Sequence, residues 1–324
     1  MKKLFIAVLA VAALASCAQD EIITKHNQVA IDFSNGFVDN STKAIDTTYG
    51  NGSDSENGLT PLKKFNVYGT ATGNKATVQV FNGTPVSGNI GDQLWSYTGT
   101  QYWIENATYK FVGVVDATVD AWADSFPTQL GVTNENDALV SQVVEREQKG
   151  TIDASPVALS FKHLLAKAHF TFTDNDGADN YTFKVTNIVI NDVYVSGTYT
   201  IDGGAWSGLT KGDVQFGTAS GATAVGAADT AVVIASDGTT SHLTKLIVPA
   251  TYTNLVVNFD VELLFNGGPF QTWTETVTIP TVTLAANHSY NFAATLVPGK
   301  KIDFKVVSLD GWVDAPNVDA DNVQ

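Results

Sequence analysis

Short runs of alternating apolar and polar residues, rich in Thr, Val, Tyr and Phe, follow one another along almost the whole chain. Residues of that kind suit a pleated, half-buried surface, and a period of two places every second side chain on one face. The first run, 29–33, puts Val29, Ile31 and Phe33 on a single face and ends at Asn35-Gly36. Similar runs cover 64–70, 77–81, 109–115, 159–172, 181–195, 197–201, 231–235, 243–248, 255–265, 271–279, 288–296 and 302–309. Gly, Asn and Asp punctuate them at turn-like intervals. Asp202-Gly203-Gly204, for example, reads as a hairpin turn between Tyr199/Ile201 and Trp206. Two stretches are candidate short helices or turns: 120–126, and 134–148 with Leu139, Val143 and Val144 on one face. Many short strands and few helices indicate an all-β fold of sandwiches.

With 324 residues the chain is long for one sandwich and comfortable for two. A more charged stretch at 137–156 precedes the expected boundary at 158/159. The segment 41–58, rich in Ser, Thr, Asp, Asn and Gly, reads as an exposed connection, and 217–226 as a low-complexity loop.

The N-terminus has a different character. Lys2 and Lys3 precede an apolar run, 4–14, that is shorter than the ~20 residues a spanning helix needs. This is the layout of a secretory signal. It ends in Leu14-Ala15-Ser16-Cys17, which resembles the lipobox of bacterial lipoproteins, and Cys17 is the only cysteine. The resemblance implies removal of 1–16, acylation of Cys17 with chains such as palmitate, and passage through the lipoprotein export machinery to the outer membrane. Gln19-Asp20-Glu21 is similar to an acidic surface-export signal.

The formal charge of −15 opposes binding of nucleic acid and of anionic lipid, since phosphate recognition needs clustered Lys or Arg. Arg146 is the only arginine. One cysteine allows neither an internal disulfide nor a multi-cysteine zinc site. His26, His163, His169, His242 and His288 lack zinc-ligand spacing, so no metal or cofactor is expected. No GxSxG, HExxH, P-loop or dinucleotide fingerprint occurs, and the chain does not read as an enzyme. Asp174-Asn175-Asp176-Gly177 opens like a calcium loop, but Val185 stands at the closing position that needs a bidentate Glu, so a hairpin is the better reading. The aromatic residues Trp95, Tyr97, Tyr102, Trp103, Tyr109 and Phe111 suit either a sandwich core or a sugar-stacking surface, and their alternation favours the core.

The lipobox, the order of Leu94-Trp95-Ser96-Tyr97, Tyr102-Trp103 and Tyr109-Lys110-Phe111, and the run 159–167 together resemble the fimbrillins of type V pili. Ile247-Val248-Pro249-Ala250 and the ending Ile302-Asp303-Phe304-Lys305-Val306 with Gly311-Trp312 add to that resemblance. It implies two transthyretin-like, Greek-key β-sandwich domains in tandem. It further implies a propeptide over 17–43, an N-terminal domain over 44–158 and a C-terminal domain over 159–324. A trypsin-like maturation protease would cut after Lys43, before Ala44, and release the strand of Val29, Ile31 and Phe33. The C-terminal segment of another subunit, with Ile302, Phe304, Val306, Leu309, Trp312 and Val313, would fill the slot. Lys43 stands where the family often has Arg. The alternative for 302–306 is simply the last strand of its own domain. Implied partners are further copies, other fimbrial subunits and an adhesion target. Asp46-Thr47-Thr48 and Asp229-Thr230-Ala231 resemble a short O-glycosylation motif. A stalk subunit is the leading reading. A tip or anchor subunit, a surface glycan-binding lipoprotein and, third, a glycoside hydrolase are the alternatives.

Overall fold

A computed structural model describes residues 29–38, 62–88, 95–174, 181–216, 231–234, 243–297, 299 and 301–309. Cys17, Lys43, Ala44, Trp312, Val313, both Asp-Thr motifs and most of the 174–177 loop lie outside the described residues.

The strands follow in chain order: β1 Phe33–Val38, β2 Lys64–Thr72, β3 Thr77–Ser87, β4 Ser96–Tyr97, β5 Ala107–Val115, β6 Thr118–Ala123 and β7 Phe126–Thr133. Then come β8 Leu139–Ser141, β9 Val144–Gln148, β10 Val157–His163, β11 Ala166–Asp174, β12 Tyr181–Thr200 and β13 Trp206–Phe216. The chain continues through β14 Ala231–Ile234, β15 Leu243–Ile247, β16 Ala250–Phe265, β17 Gly268–Leu284, β18 Ser289–Leu296 and β19 Phe304–Leu309. Among the described residues there is no helix, and the fold is all-β.

Both helix candidates are corrected. Residues 118–133 form the β6–β7 hairpin, and 139–148 hold β8 and β9. The β6–β7 turn runs through Asp124 and Ser125, both with positive φ (48° and 64°), so the hairpin lacks the Gly or Asn that normally announces such a turn. Strands β8 and β9 are held by pairing with β5 and β10, which are distant in sequence. The two runs 181–195 and 197–201 are one strand, β12, whose register slips between Thr186 and Val189 against β16 and between Ile190 and Val193 against β13. Asn187 and Asp192 take positive φ at those irregularities, the left-handed conformation that one type of β-bulge uses. The Asp202-Gly203 turn between β12 and β13 is where the sequence places it.

The strands make three sheets. The first runs β1-β10-β8-β5-β2-β3-β4, with β9 also on β5. The second is β15-β11-β18-β19. The third runs β17-β16-β12-β7-β6, with β13 and β14 also on β12. Side chains from the second and third sheets share one core, built around Phe170, Phe172, Phe183, Phe216, Phe259 and Phe292. The first sheet encloses its own core.

Strand β5 links the layers. Tyr109 and Phe111 face the first core, whereas Val112 and Val114 meet Leu130, Val132 and Tyr199 from the third sheet. A strand buried on both faces reads as a continuous apolar run, which 111–115 is. The position 158/159 falls inside β10, and β7 on its N-terminal side pairs with β12 on its C-terminal side.

Candidate functional site

The N-terminal segment 29–38 is inserted between two backbone partners that are remote from it in sequence. On one side β1 runs parallel to β10, with Phe33 opposite Val157 and Ser34 opposite Ala158. The Val157 N–H donates to the carbonyl of Asp32 at 2.7 Å. On the other side lies the stretch 95–103. Ile31 N–H donates to the Gln101 carbonyl at 2.9 Å, Trp103 N–H to the Val29 carbonyl at 2.9 Å, and Trp95 N–H to the Phe33 carbonyl at 2.8 Å. Because Trp95 adjoins β4, these bridges join the two ends of the first sheet and the segment closes it.

Alternation sends Ile31 and Phe33 inward, with 0% and 1% of their surface exposed, and leaves Val29 half-buried. The Phe33 ring sits edge-on among four others: Phe81 at 5.4 Å between centroids, Tyr97 at 5.8 Å, Phe111 at 6.0 Å and Phe65 at 6.2 Å. Edge-to-face pairs add about 0.5–1.5 kcal/mol each to simple burial. Phe65 in turn packs on Trp95 and Phe161, and Trp103 on Tyr109. Arg146 lies 5.3 Å over the Trp103 ring.

Polar groups fasten the segment. The Tyr97 hydroxyl donates to the Ile31 carbonyl at 2.6 Å and accepts from Gln101 N–H at 3.2 Å. Burial holds the Tyr97 hydroxyl's pKa above the ordinary 10.0; the Gln101 N–H opposes this in part, and Asp32 and Tyr102 add smaller upward contributions. The Tyr109 hydroxyl, which accepts from Ile104 N–H, is raised by burial as well. The indole N–H groups of Trp95 and Trp103 are buried in this wall and, among the described residues, donate to no acceptor. A buried donor left so costs about 1–3 kcal/mol.

A slot that apolar, with backbone groups offered along both rims, can hold an extended segment and little else. In this structure the slot holds the chain's own segment 29–38. The profile of fimbrillin-like proteins matches residues 42–312. The chain belongs to the fimbrillin-like family. No curated protein sequence matches it. Two solved structures show the same fold. One is a fimbrial protein from Bacteroides vulgatus, with a TM-score of 0.58 and 13% identity over 77% of this chain and 93% of that one. The other, described as a candidate cell adhesion protein, is from Bacteroides uniformis, with a TM-score of 0.51 and 17% identity over 88% and 99% of the two chains.

In this fimbrillin-like chain the sequence-expected residues divide between two places. Val29, Ile31 and Phe33 come together in the slot. Ile302, Phe304, Val306 and Leu309 lie instead on or beside β19, paired antiparallel with β18 at the edge of the second sheet. Ile302 is buried there, and Phe304 is half-buried against Phe170, Phe172 and Phe259. Within 302–309, β19 is thus the last strand among the described residues, at the edge of its own sheet. The aromatic cluster is core, except Tyr102, which is 41% exposed. Gln101 and the hydroxyl of Tyr97 are slot residues that the sequence does not announce. Alternation marks Tyr97 only as a core side chain, and nothing local marks the backbone of Gln101 as a rim.

His163 and His169 are buried strand residues, and His163 Nδ1 lies 2.7 Å from Asp137. Among the described residues no group of three His, Cys, Asp or Glu side chains is placed to hold a metal ion. A surface cleft of about 400 Å³ between β2, β5 and the β6–β7 turn carries Asp124, Glu145 and Asp202. Glu145 is ion-paired there with Lys110 at 2.7 Å.

Proposed function

We propose that this chain is a structural subunit of a fimbrium that polymerises by strand exchange. It is exported as a lipoprotein acylated on Cys17. A trypsin-like protease cuts after Lys43 and frees the segment with Val29, Ile31 and Phe33. The C-terminal segment of another copy or of a different fimbrial subunit then takes the slot. The role is structural and not enzymatic, the site is the cell surface, and a stalk position suits a chain with both a slot and a C-terminal strand.

One observation carries the reading: a single terminal segment fills an aromatic-lined slot and is hydrogen-bonded along both edges by residues far away in sequence. Removing it exposes an apolar channel and two rows of unpaired backbone groups, an unfavourable state that another strand relieves. Because the slot and the tail are different surfaces, the contact is head-to-tail and propagates.

The test is to treat the purified precursor, beginning at Ala18, with a trypsin-like protease and to follow intact mass and size. The expected result is a cut after Lys43 accompanied by a ladder of oligomers. A chain cut after Lys43 that stays monomeric would end the polymerising reading and leave a tip subunit. A chain uncut near Lys43 would leave an anchor.

A further inference from the structure

The same tripeptide occurs in both strands that the proposed exchange concerns: Ile31-Asp32-Phe33 and Ile302-Asp303-Phe304. We propose that the incoming strand is residues 302–304 of a second copy in one register, Ile302 taking the place of Ile31 and Phe304 that of Phe33. This deepens, and rests on, the reading of the chain as a strand-exchanging subunit.

The two tripeptides do equivalent work. In each, Ile and Phe point into a core while the Asp between them stays at the surface or half-buried. In each, the Phe ring is met edge-on by a set of aromatic rings. Phe33 has Phe65, Phe81, Tyr97 and Phe111, whereas Phe304 has Phe170 at 5.4 Å, Phe259 at 5.7 Å and Phe172 at 5.9 Å. A segment already shaped to fill one such cage fits the other without new side-chain chemistry.

The direction of exchange follows from the edges. Among the described residues, β19 pairs in its own sheet with β18 alone. The slot offers β10 on one side and 95–103 on the other. Burial is also deeper in the slot, since Phe33 is 1% exposed and Phe304 only half-buried. The strand that leaves is an edge strand, so its own sheet is shortened by one and not split. Shifting the register by one residue would turn Ile302 and Phe304 outward, so only slips of two keep the apolar face inside.

The register places Lys305 where Ser34 now stands, opposite the exposed Ala158. Cysteines report this cleanly, because Cys17 is the only one in the chain. The experiment uses full-length chain carrying Cys17→Ser, Ala158→Cys and Lys305→Cys. It is cleaved by the protease, oxidised and resolved without reductant. Companion chains carry Asp303→Cys or Val307→Cys in place of Lys305→Cys, and report slips of two residues in either direction. Light scattering under reducing conditions follows assembly independently of any disulfide. The expected result is a disulfide-linked ladder, after cleavage only, at least tenfold stronger for Lys305→Cys than for either companion. Assembly with the strongest cross-link at 303 or 307, or with none, overturns the register and leaves the exchange reading standing. Cleavage without assembly overturns both.

Discussion

Phe33 and Tyr97 show how single residues hold the slot closed. Burying a Phe side chain contributes about 1.5–3 kcal/mol, and Phe33 has nearly all of that available at 1% exposure. Tyr97 supplies direction: its hydroxyl donates to the Ile31 carbonyl, so it must stay protonated to do so. Burial raises its pKa above 10.0, and the hydroxyls of Tyr109 and Tyr252 are raised for the same reason. In the unfolded chain these phenols ionise near pH 10, but in the folded chain they remain neutral beyond it. The unfolded state therefore binds fewer protons above that pH, and stability falls as pH rises. Stability is expected to be level in this respect below about pH 10 and to decline as pH climbs toward the raised folded values. Urea midpoints at intervals from pH 8 to 11.5 would register it. Tyr97→Phe should cost about 1 kcal/mol at pH 8 and flatten part of the alkaline decline. A variant with the same alkaline slope as the parent would remove Tyr97 from the account.

Among the elements, β5 lends side chains to the first core on one face and to the contact with the third sheet on the other, and its glycine shows how tightly it is held. A Cβ at Gly113 would stand 2.4 Å and 2.7 Å from ring atoms of Phe161, a fully buried side chain on β10. Phe161 packs on Phe65, which also touches Phe33, so the ring has no free space to retreat into. Gly113→Ala should therefore destabilise by about 1–3 kcal/mol, read from a urea midpoint, and a neutral substitution would mean that β10 can slide. The same elements show what local sequence conveys. Residues 29–33 carry an alternation that needs no tertiary context, and the structure sends Ile31 and Phe33 inward accordingly. Asn35-Gly36 does not end the strand, because β1 runs on to Val38 along β10 with an irregularity in register between Ser34 and Phe37. Residues 139–148 carry no such alternation. Leu139, Val143 and Val144 fit a helical face, yet Leu139 is buried against β10 while Val143 is 36% exposed. Long-range pairing with β5 and β10 overrode a helical pattern too short to stand alone. The second rim of the slot, 95–103, consists of isolated bridges to a segment more than sixty residues earlier, so only the folded chain reveals it. The alternation of 302–306 suits its own sheet as well as another subunit's slot, and only the folded chain shows its pairing with β18.

At the scale of the whole molecule, one number bears on assembly. The chain carries a formal charge of −15, with 33 Asp and Glu against 18 Lys and Arg. Two copies approaching head to tail repel each other before any strand can transfer. The exchanged segment itself does little to offset this, because Lys301 is already ion-paired with Asp303 at 2.7 Å. Repulsion between like-charged surfaces slows association, and salt relieves it: the Debye length falls from about 30 Å at 0.01 M to about 8 Å at 0.15 M. The slot's own contacts are apolar rings and backbone hydrogen bonds, which salt at these concentrations scarcely weakens. Assembly of cleaved chain should accordingly be slower at 0.01 M than at 0.15 M salt, with a finished polymer that survives return to low salt. Initial rates by light scattering at fixed protein concentration measure the first point, and dilution into low-salt buffer the second. A rate that falls with added salt would instead mean that the two faces meeting at each junction carry opposite charges strong enough to outweigh the net repulsion. Attraction between oppositely charged patches, and not strand insertion, would then bring the copies together.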